Sequence, residues 1–406
     1  MTDQPVSVLR HRPFVLFWFA RVAVTVGYQM LIVAVGWQLY ALTNDPFDLG
    51  LIGLIQFIPA MLLFLVVGQA TDRYDRRLVL IGCQAIEAIA AAMLLVALLT
   101  GAMSREVILC VSFILGVARA FEVTVMQIMV PSLVPLPLVP RATAGSATAN
   151  QAATITGPAL GGFLYAAGPA IVYGTCLALF AGAALLTLLI RMERSAPARE
   201  PLSLRTFFAG FGYIRDHRAI LGVISLDLFA VLLGGVTALL PVFARDIYAA
   251  GPWALGLLRA APAVGALTMA LVLTRWSLDR KAGLIIFGAV AMFGLSTIVF
   301  ALSNSFIVAL IALAVLGASD MVSVVIRMTL VQLGTPDEVR GRVTAVNGLF
   351  IGASNQLGEF RAGAMASWIG AVPAVLVGGI GTLVIVGLWT RLFPELARAD
   401  RLEARS

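Results

Sequence analysis

Ten ionisable side chains stand inside long apolar runs: Arg21, Glu87, Arg119, Glu122, Asp227, Arg259, Asp320, Arg327, Glu359 and Arg361. A charge at membrane depth is costly, so each is a candidate for a substrate or proton pathway unless a structural partner neutralises it. Arg119 and Glu122 lie one helical turn apart in "RAFE" and can pair, which is expected to keep Glu122 ionised. Both a ligand site and a plain structural ion pair fit those two residues. Asp320 and Arg327, seven residues apart, share a helix face about 10 Å apart along the axis. Asp227, in "SLDLFAVLLGG", has no basic residue one turn away. A lone carboxyl in apolar surroundings holds a proton readily, so Asp227 is the expected proton carrier, and Asp320 the expected attractor of cationic compounds. Arg21 and Arg259 stand nearer helix ends, where a guanidinium can snorkel.

Other chemistries find little purchase. His11 and His217 flank apolar runs and do not sit within them, so neither a metal centre nor a hydrolytic dyad is expected. Cys83, Cys110 and Cys176 show no framework spacing. Lys281 is the single lysine, and no glycine-rich loop ends in Lys-Ser or Lys-Thr. No cofactor is expected; the energy must come from an ion gradient, most simply of protons, or from the substrate's own.

The elements that carry these charges follow from composition. The chain of 406 residues is 60% hydrophobic and 12% charged, with a mean hydropathy of +0.98, far from the quarter-charged make-up of soluble domains. Twelve stretches near the ~20 residues that cross a bilayer are expected, at about 14–41, 50–70, 78–99, 106–130, 142–165, 169–190, 219–243, 253–274, 282–301, 305–330, 343–366 and 371–391. They do not alternate in polarity, which excludes a barrel in favour of helices. The first, behind Arg10, His11 and Arg12, runs too long for a signal peptide and is expected to be an uncleaved span.

Of the 28 basic residues, 21 fall in loops or tails of one side and only Arg105 and Arg245 in the opposite loops. That bias predicts a bacterial inner-membrane protein with both termini in the cytoplasm. The net charge of +7 then reflects topology and attraction to membrane lipid rather than nucleic-acid binding. The expected partners are a small-molecule substrate and lipid, with the chain working as a monomer.

An internal repeat divides the chain. "GLIQFIPAMLL" from Gly53 lines up with "GLLRAAPAVGA" from Gly256, and "VPLPLVPRATA" from Val134 with "TPDEVRGRVTA" from Thr335. The second alignment sets Arg119 opposite Asp320. Two six-helix bundles are expected, residues 1–190 and 219–406. In the linker, 191–218, Phe207, Phe208, Phe211 and Ile214 could form the apolar face of a short interfacial helix.

"GQATDRYDRRLVL", between the second and third spans, resembles the loop signature of the major facilitator superfamily, with Gly68, Asp72, Arg73, Arg76, Arg77 and Leu80 matching and Ala70 and Asp75 departing. Asp75 stands where glycine is usual, and Asp tolerates a left-handed turn. The resemblance implies a cytoplasmic gate: Asp72 meets a helix end of the other half, and the arginines pair with nearby acids. "GPALGG" resembles the superfamily's antiporter motif, with Ala153 where a further glycine is usual. It implies that Gly157, Pro158, Gly161 and Gly162 let helices approach closely, and that transport runs outward; ordinary small-residue packing is the plainer alternative. Arg119 matches the buried arginine of the fourth-helix motif, although Glu122 and Val123 replace the usual glutamine and glycine.

"NQLGEFRAGAMASWIGAVPAVLVGGIGTL" from Asn355 and "LLPVFARDIYAAGPWALGLLRAAPAVGAL" from Leu239 look like the enterobactin-exporter-like branch, whose members export siderophores, macrolides and other amphipathic compounds. The fold class implied is an all-α membrane protein of twelve transmembrane helices in two pseudo-symmetric bundles. The function implied is secondary active export by alternating access, not enzymatic catalysis. A lipid or lysolipid flippase and an importer are the same-fold alternatives; an intramembrane enzyme or a transport-inactive sensor are those of another class.

Overall fold

The computed structural model describes residues 8–191, 211–276 and 281–397. Among them every regular element is helical, and twelve are long: α1 Arg12–Thr43, α2 Pro46–Arg73, α3 Arg76–Leu99, α4 Arg105–Met129, α5 Val139–Ala167, α6 Pro169–Leu188, α7 Arg218–Gly234, α8 Pro252–Leu273, α9 Ala282–Leu302, α10 Phe306–Leu333, α11 Asp337–Ile369 and α12 Ala371–Leu392. Helices close their backbone hydrogen bonds internally, as a hydrocarbon environment requires.

Ten of the twelve are long and apolar enough to span a bilayer. The other two, α5 and α11, are rich in Gly, Ala, Ser, Thr and Asn. Small residues of that kind trade hydropathy for close helix contact. The chain is a multi-pass membrane protein.

Local chemistry sets the breaks. Ser104 accepts from the Val107 N–H to cap α4. Gly370, at φ +90, turns the chain between α11 and α12, a conformation that a side chain would strain. Lys281 is left-handed at φ +58, just ahead of α9. α7 stops at Gly234 and continues through a 3-10 turn, Thr237–Leu239, to a π turn, Phe243–Ile247. Pro241 lacks the N–H that a continuous helix needs there.

Contacts group the chain into two units: Met1–Leu42, Ile58–Leu202 and Pro252–Gly256 in one, and Thr43–Phe57, Ser203–Gly251 and Leu257–Ser406 in the other. In the first, α3 packs along α4 and α6, and α5 along α6. In the second, α9 packs along α10 and α12, and α11 along α12. The pairings match after a shift of six helices, the packing counterpart of the sequence repeat.

The first unit buries Phe17, Tyr173 and Phe180 completely. The second centres on Val223, Leu226, Ile286, Ile326 and Val346. Ile214, expected on a face turned to lipid, is buried in that second core, while Phe211 stays partly exposed with its ring edge against Phe350. Residues 211–216 are helical; Phe207 and Phe208 lie outside the described residues.

Candidate functional site

In the first unit, four charges from three helices converge. Arg119 of α4 donates to Glu122 Oε2 at 2.8 Å, the pair read from their spacing. The Arg119 guanidinium also lies 4.4 Å from the centre of the Tyr28 ring on α1, a favourable seat for a part-buried cation. Arg21 is part-buried and donates to Ser146 Oγ on α5 at 2.9 Å. It therefore turns inward and does not snorkel, because α5 offers a hydroxyl that lipid cannot. Glu87 of α3 and Glu122 of α4, on helices that pack along each other, are both fully buried, and the two carboxyls act on each other electrostatically. One turn before Glu87, Gln84 is also fully buried, and neither atom of its carboxamide has a partner. Gln84, Tyr28 and Ser146 were missed by a search for charge; Gln84 was visible as a polar residue one turn from Glu87.

The glycine motif of α5 faces two helices. A Cβ at Gly157 would lie 2.6 Å from Gln29 Cβ, and one at Gly161 would lie 2.7 Å from Met30 Cα, both on α1. At Gly162 it would lie 2.6 Å from the Pro252 carbonyl oxygen and 3.0 Å from Gly256 Cα at the head of α8. Pro158 presents its carbonyl to Gly256 in return. Only glycine permits these backbone approaches.

The signature loop is built differently from its expected form. Asp75 has φ −61 and ψ 115 and accepts from the Arg77 N–H at 2.9 Å. It is thus the N-cap of α3 and not a left-handed turn residue; its short carboxylate satisfies an amide that the helix start leaves free. Arg77 donates to the Thr187 carbonyl at 3.2 Å and to that of Leu188. Instead of pairing with an acid, it caps the end of α6, where free carbonyls gather partial negative charge. Gly68 lies within α2, Arg73 closes that helix and Arg76 opens α3. The Asp72 side chain lies outside the described residues.

The second unit holds another cluster. Asp227 of α7 was expected to be unpaired, but Arg327 of α10 donates to its Oδ2 and Ser323 to its Oδ1 at 3.4 Å. Both charges are buried, at 4% and 2% exposure. The partner comes from a helix 100 residues away, beyond any turn-by-turn search. Asp320 has no hydrogen bond or ion pair among the described residues. With Asp227, Ser319, Ser323, Val290 and Phe293 it lines a cavity of about 10 Å³, at the margin of holding one water.

Arg361 of α11 donates to the Leu232 carbonyl at 2.9 Å and to that of Leu233, and so caps α7 where that helix breaks. The head of α2 belongs to this unit and crosses α11: a Cβ at Gly50 would lie 3.0 Å from Gly363 Cα, and one at Gly53 would lie 3.1 Å from Glu359 Oε2. The charge of Arg259 on α8 acts on Glu359. Arg259 is therefore engaged and not simply snorkelling.

Twelve helices in two packing sets related by a six-helix shift, with buried charges in each set, define a transporter of the major facilitator class. Residues 3–405 match the family model described as transmembrane secretion effector, and the chain belongs to that family. It is similar to the enterobactin exporter EntS of Citrobacter koseri, 28% identical over 94% of this chain and 92% of that protein. It is also similar to macrolide efflux protein A of Streptococcus pyogenes, 22% identical over 95% and 97% of the two chains. Among solved structures it resembles a bacterial homologue of the iron transporter ferroportin, with a TM-score of 0.71 and 18% identity over 97% of this chain and all of that one. A bacterial homologue of the lysosomal transporter Spinster gives a TM-score of 0.73 at 13% identity over 96% and 98%. At such identities the structures share the fold. The chain is a transporter, not an enzyme.

Proposed function

We propose that this transporter exports small amphipathic, drug-like or siderophore-like molecules in exchange for protons. It would work as a monomer in a bacterial inner membrane, with both termini in the cytoplasm and no cofactor. The observation that carries the substrate class is a groove of about 510 Å³ in the first unit. Val22, Val26, Ala149 and Ala152 of α1 and α5 give it an apolar lining, with Trp18 and Arg141 as polar handles. That mix of apolar wall and few polar groups suits an amphipathic ligand of drug size.

The relatives, an enterobactin exporter and a macrolide efflux protein, support outward transport of such compounds. Proton coupling is supported by carboxyls buried in both units, since a carboxyl removed from water can exchange a proton with substrate binding. Reconstituted protein should accumulate a labelled catecholate siderophore, macrolide or lipophilic cation when a pH gradient is imposed, and collapse of the gradient should stop it. Transport of all three that is indifferent to the gradient would remove the coupling. Failure to move any of them would remove the substrate class.

A further inference from the structure

Glu87 and Glu122 pose an electrostatic problem that the rest of the first unit does not solve by itself. Neither Glu87 oxygen, nor Glu122 Oε1, has a donor among the described residues. Among the described residues the single donor that reaches the two carboxyls is Arg119, and it is spent on Glu122 Oε2. Two ionised carboxylates side by side in a dry interior repel each other and cannot hydrogen-bond; one shared proton makes one of them a donor and removes the repulsion. We propose that Glu87 and Glu122 form a dyad that holds one proton between them, with Glu87 the neutral acid and Glu122 the carboxylate fixed by Arg119.

The surrounding groups make that proton exchangeable. α1 brings Arg21 and Tyr28, α3 adds Cys83 and Gln84, α4 adds Arg119, and α5 holds Arg21 through Ser146. α6 packs along α3 and carries no charged residue; Tyr173 and Cys176 are its titratable groups. With the dyad proton in place, two guanidiniums face one carboxylate, a net charge of +1. When the proton leaves to water, two guanidiniums face two carboxylates and the cluster is neutral. Neither state leaves an acid stranded without a cation, so the site can cycle. A substrate that displaces the proton by charge is itself cationic. The role of this proton in transport rests on the proton-coupled export proposed above; its presence in the dyad does not.

Infrared spectroscopy of the purified full-length protein, carrying glutamate labelled with ¹³C at the side-chain carboxyl, tests the dyad without any substrate. A C=O stretch from a protonated carboxyl should appear near neutral pH in the unsubstituted protein and shift with the label. It should vanish in Glu87→Gln, move in frequency in Glu122→Gln, and stay in place in Glu359→Gln, which alters a labelled glutamate of the second unit. No label-sensitive band near neutral pH would overturn the proposal without recourse to a variant, and so would a neutral-pH band that survives Glu87→Gln and Glu359→Gln together. A band that behaves as described in a protein whose transport ignores the pH gradient would uphold the dyad and sink the coupling.

Discussion

The charged cluster of the first unit gathers two acids and two bases, and its two acids act on each other; the cluster of the second closes one acid on one base and leaves the other acid apart. Arg21, Glu87, Arg119 and Glu122 belong to one connected patch. Asp227 and Arg327 are spent on each other, while Asp320 stands beside them over a cavity too small for more than about one water. The difference lies in what removing a charge does. A pair with no third partner behaves as a strut, because loss of either member strands the other in low dielectric. A patch with several partners can lose or gain a proton and still balance.

The sharpest way to break that contrast is Arg327→Met, which should destabilise the protein by about 3–5 kcal/mol by stranding Asp227. Thermal unfolding in detergent reads this directly, and adding Asp227→Asn should recover most of it. A single variant as stable as the parent would show that the pair is no strut. The expectation of an unpaired Asp227 gives way to this reading, since Arg327 and Ser323 both donate to its carboxylate.

Next in size is Gly161→Val, which drives a branched side chain toward Met30 backbone atoms 2.7 Å away. Overpacking of this kind costs about 1–3 kcal/mol. Transport should fall with stability if α5 and α1 must stay in contact through the cycle. If the melting temperature holds, the close approach does not constrain the first unit as its geometry implies.

Asp320→Asn should leave stability within about 0.5 kcal/mol, because no partner is stranded. It should weaken binding of a lipophilic cation roughly tenfold while sparing a neutral analogue, as expected for a carboxylate acting on a cation in low dielectric. Equal loss for both compounds would move Asp320 from the charge role to a shape role. Smallest is Arg77→Ala, which removes the cap on α6 and should cost about 0.3–1 kcal/mol; Arg76→Ala, measured beside it, should cost less.

Much of the fold was legible, because an apolar run that must close its hydrogen bonds has few options and a repeat in sequence becomes a repeat in packing. α5 and α11 were legible among the twelve apolar stretches although the small residues that let them cross neighbours lower their apolar signal. Interactions within a helix were legible too: Arg119 and Glu122 pair as their spacing predicts. Long-range partners were not. Nothing local to Asp227 announces Arg327, and nothing local to Glu87 announces Glu122, because both contacts are products of helix packing. Asp75 misled for another reason: an aspartate suits a left-handed turn and an N-cap alike, and only the backbone decides.

One feature of the ninth span offers an experimental handle. Lys281 is exposed, left-handed and placed immediately before α9, and every other basic side chain in the protein is an arginine apart from His11 and His217. Guanidinium groups do not deprotonate at workable pH, so acylating reagents pass them over. Apart from any α-amino terminus, which is less basic and can be addressed separately at lower pH, the chain presents a single nucleophilic amine. A fluorophore or spin label attached there through an amine-selective reagent would report from one defined point without cysteine engineering; of the three cysteines, Cys83 and Cys176 are buried and Cys110 is exposed.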